Sequence, residues 1–192
     1  MGRKVPSHLV VLGHPGSSSF NTAVAGRFVE AVRATHQDAV MRDLYAMEFD
    51  PLPKENDRTS NDDGASSDVQ AELDLLQQCD VLTFAYPLWF GMPPTIITRY
   101  IDRVLGAGFR VDDLKRSPEG VLRGKRLAVI TTSGSKLSWL EEHGMWCRFA
   151  SHSMSISRPF LALCGAIITM RNRLSMISDR PTRSAFFLRS KN

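Results

Sequence analysis

The chain has 192 residues, of which 43% are hydrophobic and 23% are charged, and its formal net charge is +4. This length and composition predict one globular domain over residues 1–192 with a substantial core. The longest apolar runs, such as Leu161 to Ile168, are much shorter than the ~20 residues that cross a bilayer. We therefore expect no membrane insertion.

The basic residues are concentrated in residues 171–192. This segment has five arginines and Lys191 against Asp179 alone, so it carries +5 and leaves −1 for the rest of the chain, given the total of +4. Nucleic-acid binding would instead favour basic residues spread over one face with aromatic residues among them. We expect no nucleic-acid partner.

The cysteines and the opening residues bear on location. The apolar part of "MGRKVPSHLVVLG" is too short for a secretory signal and is typical of a first strand. Cys79, Cys147 and Cys164 lie in apolar surroundings without the spacing of a metal site. We expect free thiols, no metal, and a reducing, cytoplasmic location.

Apolar runs alternate along the chain with stretches of helical periodicity. Strands are predicted at His8–Gly13, Asp38–Leu44, Asp80–Ala85, Arg126–Thr131 and Leu161–Ile168. Helices are predicted at Thr22–Thr35, at Asp68–Gln78 with Asp68 as its N-cap, at Pro94–Leu105, around Met145–Ile156, and briefly after Pro181. The polar stretch Pro53–Asp68 is interpreted as a surface loop, either a lid or, the reading we favour, a solvent-exposed connection. This alternation predicts an α/β fold with a five-stranded parallel sheet covered by helices on both faces.

Ligands of such sheets bind beyond the carboxyl ends of the strands, so the loops after strands one, three and four are candidates. The first loop, "GHPGSSSFNTAVA", has small and hydroxyl-bearing residues from Gly16 to Ser19, directly before a helix. Its backbone N–H groups, hydroxyls and helix end favour binding of a phosphate, to which His14 can add a donor or a positive charge. The alternative is a serine-rich helix cap with Asn21 as the capping residue.

The second loop, "YPLWFGMPP", is unusually apolar for the exit of a buried strand. Gly91 allows close approach of the backbone to a ligand. Trp89 and Phe90 offer rings to a flat aromatic ligand. The alternative is a subunit interface, where such residues are also enriched.

The third loop, "ITTSGS" (Ile130 to Ser135), offers N–H and hydroxyl donors to the carbonyl edge of a ring, or is an ordinary strand exit. A phosphate site, an aromatic surface and a row of donors together favour a phosphorylated heteroaromatic cofactor. Flavin is the simplest choice.

Four segments also resemble a known family, namely "DLYAMEFDPLP", "DVQAEL", "YPLWFGMPPTIITRYIDRVLGAGF" and "GKRLAVITTSGS". From about His8 to Gly165 the chain resembles the flavodoxin-fold NAD(P)H:quinone oxidoreductases, which include DT-diaphorase and its bacterial relatives. The resemblance implies a flavodoxin-like, doubly wound sheet and a flavin-dependent enzyme. In this family a hydride passes from NAD(P)H to flavin N5 and then, in a ping-pong cycle, to a quinone.

The resemblance also implies roles for residues of all three loops. The flavin-binding positions are His14, Ser19, Phe20 and Asn21 at the phosphate, Pro87, Leu88, Trp89 and Phe90 along the ring, and Thr131, Thr132, Ser133 and Gly134 at its pyrimidine side. His143 lies close to the position of the family's catalytic histidine, which stabilises charge on the reduced flavin, with a spacing one residue shorter; the alternative is a surface histidine without a role. The tyrosine that partners it in the family is absent near Ser138 and Trp139. The match weakens from Met170 onward, so both FAD and FMN stay open, as do NADH and NADPH.

Two other functions stay open as alternatives. One is a flavodoxin-like electron carrier, although such carriers use an acidic docking face and this chain is basic. The other is a flavin-binding ancillary subunit of a potassium efflux system. For the enzyme, the resemblance implies a small-molecule quinone as acceptor and a homodimer with the flavin near the subunit interface.

Overall fold

A computed structural model of the protein describes residues 5–54, 66–108, 120–134, 142 and 166–171. Several sequence predictions lie outside these residues. They are the helix around Met145–Ile156, the helix after Pro181, the basic segment from residue 172 onward, His143, and two of the cysteines, Cys147 and Cys164.

The centre of the fold is a parallel sheet. Its strands are β1 (Ser7–Leu12), β2 (Asp38–Asp43), β3 (Val81–Pro87), β4 (Arg126–Ser133) and β5 (Ala166–Arg171), in the spatial order β2-β1-β3-β4-β5. Strand β2 lies on one side of β1, and the later strands β3, β4 and β5 follow on its other side, as in flavodoxin-like sheets. The predicted α/β class with a parallel sheet is confirmed. The structure describes the last strand over Ala166–Arg171, and residues 161–165 of the predicted strand lie outside the described ranges.

Helices and helical turns lie between the strands from β1 to β4. They are α1 (Phe20–Ala34), α2 (Ser67–Gln78), α3 (Thr95–Tyr100), which continues through a π-helical turn (Ile101–Leu105) into α4 (Gly106–Gly108), and a 3₁₀ turn (Gly120–Leu122). Among the residues that the structure describes, no helix is both long and apolar enough to cross a membrane.

The predicted cap Asp68 and the alternative cap Asn21 are not the caps of their helices. Helix α1 begins at Phe20, and its N-cap is Ser19, whose Oγ accepts a hydrogen bond from the Thr22 N–H; Asn21 lies inside the helix and is buried. Helix α2 begins after Ser66, so Asp68 lies in its first turn. In both cases the residue that we expected to cap has a partner elsewhere in the fold, Thr132 for Asn21 and Arg103 for Asp68.

The core has two layers, one on each side of the sheet. Alternate residues of a strand face opposite sides, so Val10 and Leu12 pack with α1, whereas Leu9 and Val11 pack with α2 and α3. All seven residues of β3 are buried, as expected for a central strand covered on both faces. This buried sheet holds the ends of its strands in fixed positions.

A charged network is buried under α2 and α3. The Glu72 carboxylate accepts hydrogen bonds from Arg42 on β2 and from the Tyr100 hydroxyl on α3. Burial, followed by the charge of Glu72, raises the pKa of Tyr100 well above its ordinary value, so this hydroxyl stays protonated and donates. The network joins three elements on one side of the sheet.

Arg103 forms a second buried connection from the π-helical turn. Its guanidinium donates to the Asp50 carbonyl, to Asp68 (2.9 Å) and to Ser66 Oγ (3.1 Å). The same group lies 5.2 Å from the centre of the Phe49 ring, a cation–π distance. Arg103 therefore fixes the start of α2 and the segment after β2 to one helix.

Candidate functional site

The loops after β1, β3 and β4 lie side by side at the carboxyl edge of the sheet. The Gly13 N–H donates to the Ala85 carbonyl (2.9 Å), which fixes the first loop to β3. The Leu88 N–H donates to the Thr132 carbonyl (2.8 Å), which fixes the second loop to β4. Because the strands are parallel, all three loops emerge at this one edge, as predicted.

The first loop folds tightly onto the start of α1. The Ser19 N–H and the Thr22 hydroxyl both donate to the Gly16 carbonyl (3.2 and 3.0 Å). Ser19 and Thr22 also share a hydrogen bond between their hydroxyls (2.8 Å). These contacts of Thr22 and Gly16 were not predicted from the sequence, although a hydroxyl residue three positions after the cap was a visible signal.

Four backbone donors of this loop are free. Within the described residues, no hydrogen bond is formed by the N–H groups of Ser17, Ser18, Phe20 and Asn21. They surround the start of a 15-residue helix, where the helix dipole also favours negative charge. The arrangement fits a phosphate, the group predicted here.

His14 connects the first loop with the second. Its Nδ1 accepts the Gly16 N–H (2.9 Å) and also lies 3.3 Å from the Gly16 carbonyl. Its ring meets Trp89 edge to face, with centroids 6.3 Å apart and planes at 61°. In a neutral ring that accepts at Nδ1, the proton is on Nε2, which is then a donor available to a ligand.

The apolar second loop is a two-residue hairpin turn. The Trp89 N–H donates to the Met92 carbonyl (3.0 Å), and the Met92 N–H donates to the Trp89 carbonyl (2.9 Å). The two residues between them, Phe90 and Gly91, have φ values of 52° and 75°. Two positive φ values define a type I′ turn, which suits glycine but strains a bulky aromatic residue. Phe90 is nevertheless 94% exposed. A strained backbone that displays a ring to solvent indicates a binding function.

Replacing Phe90 with asparagine should raise the free energy of unfolding by about 1 kcal/mol, because asparagine tolerates this turn position and little burial is lost. Chemical denaturation without added cofactor measures the change. Leu52→Asn is the control, since Leu52 is also exposed and lies at an ordinary φ. Equal changes in the two variants would show that the turn is not strained.

The third loop uses its side chains on both faces of β4. The Thr132 hydroxyl donates to Asn21 Oδ1 on α1 (2.8 Å). Thr131 faces the opposite side of the sheet and is fully buried, and its Oγ1 has no hydrogen-bond partner among the residues that the structure describes. Ser133 is buried and Gly134 is exposed at the end of the strand.

The structure places nearly every site residue predicted from the sequence at the same edge of the sheet. Those at the common edge are His14, Ser19, Phe20, Asn21, Pro87, Leu88, Trp89, Phe90, Thr131, Thr132, Ser133 and Gly134. His143, Ser138 and Trp139 lie outside the described residues. In the part of the chain that is described, no group of three or more histidine, cysteine or acidic residues could hold a metal ion.

Comparison with known proteins identifies the family. Residues 6–168 match the family described as having a flavodoxin-like fold. The chain belongs to the flavodoxin-like family. The resemblance predicted from the sequence is therefore confirmed.

The curated relatives of this flavodoxin-like protein include oxidoreductases. An uncharacterized NAD(P)H oxidoreductase of Haemophilus influenzae is 34% identical over 141 residues, which cover 72% of this chain and 70% of that protein. NAD(P)H dehydrogenase [quinone] 1 of Rattus norvegicus is 35% identical over 147 residues, covering 66% of this chain and 53% of that protein. The chain thus spans about half the length of the rat enzyme.

Solved structures support the same fold. An NAD(P)H:quinone oxidoreductase from Methanothermobacter marburgensis has a TM-score of 0.71 and 20% identity, and the match covers 87% of this chain and 83% of that one. An azoreductase from Bacillus anthracis has a TM-score of 0.62 and 18% identity, with 87% of each chain covered. At these identities the likeness concerns the flavodoxin-like fold alone.

Proposed function

We propose that this chain is a flavin-dependent NAD(P)H:quinone oxidoreductase. The observation that carries the proposal is the convergence of three dissimilar loops, joined by the Leu88–Thr132 and Thr132–Asn21 hydrogen bonds, at one edge of the sheet. The names of the Haemophilus and rat relatives support the reaction class. The alternatives of an electron carrier or a regulatory subunit have no comparable support in the described residues.

The residues present fit a flavin. Free N–H groups around Ser19 match a phosphate, and the exposed rings of Trp89 and Phe90 match the plane of an isoalloxazine ring. Thr132 and Asn21 already bind each other, so we expect the pyrimidine edge to contact backbone groups near Ser133 and Gly134.

A bound flavin would supply the redox chemistry, accepting hydride from NAD(P)H and passing it to a quinone. The chain supplies binding and orientation. The first loop would fix the phosphate, the hairpin turn would cover the ring and limit its contact with water, and His14 would donate from Nε2. We assign His143 to charge stabilisation on the reduced cofactor. An unchanged steady-state rate in His143→Ala would refute that assignment.

The proposal also covers the cofactors, the oligomeric state and the location of the protein. The flavin is FMN or FAD, and the hydride donor is NADH or NADPH. We propose a homodimer because three large apolar side chains, Trp89, Phe90 and Met92, are exposed beside the site. The buried free thiol of Cys79, whose pKa is raised by burial, suits a cytoplasmic location. Light scattering of the purified protein tests the dimer.

The purified protein should be yellow, with the absorbance bands of oxidised flavin. Mass spectrometry of the released cofactor then distinguishes FMN from FAD. NADH and NADPH oxidation with menadione as acceptor tests the reaction. A colourless protein that binds neither FMN nor FAD in calorimetry would refute the cofactor, and a flavoprotein that does not oxidise NAD(P)H would refute the reaction.

A further inference from the structure

Thr132 is the point where the three loops of the site meet. Its backbone carbonyl accepts the Leu88 N–H of the second loop (2.8 Å), and its hydroxyl donates to Asn21 at the start of α1 (2.8 Å). Thr132 itself belongs to the third loop. One residue therefore sets the distances between the candidate phosphate, ring and pyrimidine contacts.

The hydrogen bond between Thr132 and Asn21 is buried and joins distant parts of the sequence. Only 5% of Thr132 and 7% of Asn21 is exposed, and the two residues are 111 positions apart. A buried hydrogen bond of this kind holds its partners firmly, because either group would lose a partner without regaining water. The start of α1 is thereby fixed to the end of β4.

The bond also determines what Asn21 can offer a ligand. Its Oδ1 is occupied by the Thr132 hydroxyl, which leaves the Nδ2 amide as its free donor. The Asn21 N–H is one of the free backbone donors of the first loop. An orientation of Asn21 fixed by Thr132 would therefore present two donors to an anionic or carbonyl group.

We propose that Thr132 is a positioning residue, whose hydroxyl bond to Asn21 holds the phosphate loop at the distance from the ring loops that a flavin requires. The inference rests on the proposed function. It assigns Thr132 a role through Asn21 instead of a side-chain contact with the cofactor. Its consequence is that loss of the hydroxyl weakens flavin binding beyond any loss of stability.

The matched variants are Thr132→Val, which replaces the hydroxyl with a methyl group, and Thr132→Ser, which keeps the hydroxyl and removes the methyl group. Thr83→Val is the control, because Thr83 is fully buried on β3, distant from the carboxyl edge, and its Oγ1 has no hydrogen-bond partner in the described part of the chain. FMN and FAD are titrated into each apo-protein by fluorescence quenching. The unfolding free energy of each apo-protein is measured in parallel by chemical denaturation.

Thr132→Val should weaken binding of the flavin about tenfold, the equivalent of one good hydrogen bond. Thr132→Ser and Thr83→Val should bind as the wild type does. In Asn21→Ala, a further Thr132→Val substitution should have no additional effect on affinity, since the bond is already absent. If Thr132→Val folds poorly, Asn21→Ala alone tests the inference because it removes the same hydrogen bond, and an Asn21→Ala protein that binds flavin as the wild type does would overturn it.

Equal flavin affinity for Thr132→Val and Thr132→Ser would overturn the inference. So would a purely structural effect of Thr132→Val, in which the stability of the apo-protein falls but its flavin affinity does not. Additive effects of the Asn21 and Thr132 substitutions would overturn it too. A wild-type protein that binds neither FMN nor FAD would instead refute the proposed function, on which the inference depends. The two failures are thus distinguishable.

Discussion

Replacing Arg103 with alanine should lower the free energy of unfolding by about 3 kcal/mol, at the lower end of the range for broken buried ion pairs. The side chain of Arg103 is fully buried, whereas that of its partner Asp68 is 36% exposed, so water recovers part of the loss at Asp68. The Asp50 carbonyl and Ser66 Oγ also lose a donor, and the ring of Phe49 loses a packing partner. Urea denaturation at pH 7 measures the difference.

Arg99→Ala is the matched control for this prediction. Arg99 lies on α3, one turn before Arg103, and pairs with Asp102 at 3.7 Å, with both side chains largely exposed. Exposed pairs of this kind contribute about 0–1 kcal/mol. If the two alanine variants lose similar stability, burial of Arg103 is not what makes its contacts strong.

The loss of stability in Arg103→Ala should depend on pH, because the partner of Arg103 is the titratable carboxyl group of Asp68. Burial alone raises the pKa of Asp68, but hydrogen bonds from Arg103 and Ser66 and the charges of Arg103 and Lys54 outweigh it and hold this pKa well below its ordinary value. A depressed pKa stabilises the fold above about pH 4, the ordinary value, and this stabilisation is lost as pH falls further. The stability difference between wild type and Arg103→Ala should therefore narrow between pH 7 and pH 3. A constant difference would contradict this assignment.

The sheet could be predicted from the sequence because burial on two faces favours nearly continuous apolar runs. Residues Val81 to Ala85 are such a run, and the structure places them in a strand buried throughout. The loops of the site followed from the same pattern, since parallel strands bring their carboxyl ends to one edge. The placement of the three loops was therefore available from the order of the elements alone.

The polar contacts inside the fold could not be predicted in the same way. Glu72 lies on a helix whose apolar spacing gave no reason to bury it, and its partners Arg42 and Tyr100 come from two other elements. The cap of α1 was uncertain because Ser17, Ser18, Ser19 and Asn21 all suit that position. Asn21 is excluded as the cap only by its tertiary hydrogen bond with Thr132. Such pairings depend on three-dimensional proximity, which periodicity does not encode.

Replacing Gly13 with alanine should lower the free energy of unfolding by about 2 kcal/mol and weaken flavin binding in parallel. A Cβ at Gly13 would lie 2.5 Å from Ile97 Cγ1 and 2.7 Å from its Cδ1, closer than carbon atoms can approach. Ile97 is only 1% exposed and branched at Cβ, so it has little freedom to move aside. The strain must displace either α3 or the first loop, which Gly13 anchors to Ala85.

Two further variants separate this clash from the general effect of adding a methyl group. Gly26→Ala adds the same group inside α1, where, among the described residues and apart from the backbone of α1 itself, no heavy atom lies within 4 Å of it, and should raise stability by about 0.5–1 kcal/mol. Ile97→Ala removes both clashing atoms, so adding Gly13→Ala to it should lower stability much less than in the wild type. A Gly13→Ala penalty of equal size in both backgrounds would locate the strain elsewhere. Loss of flavin affinity that recovers with stability in the double variant would show that the first loop must lie close against α3 to bind the phosphate.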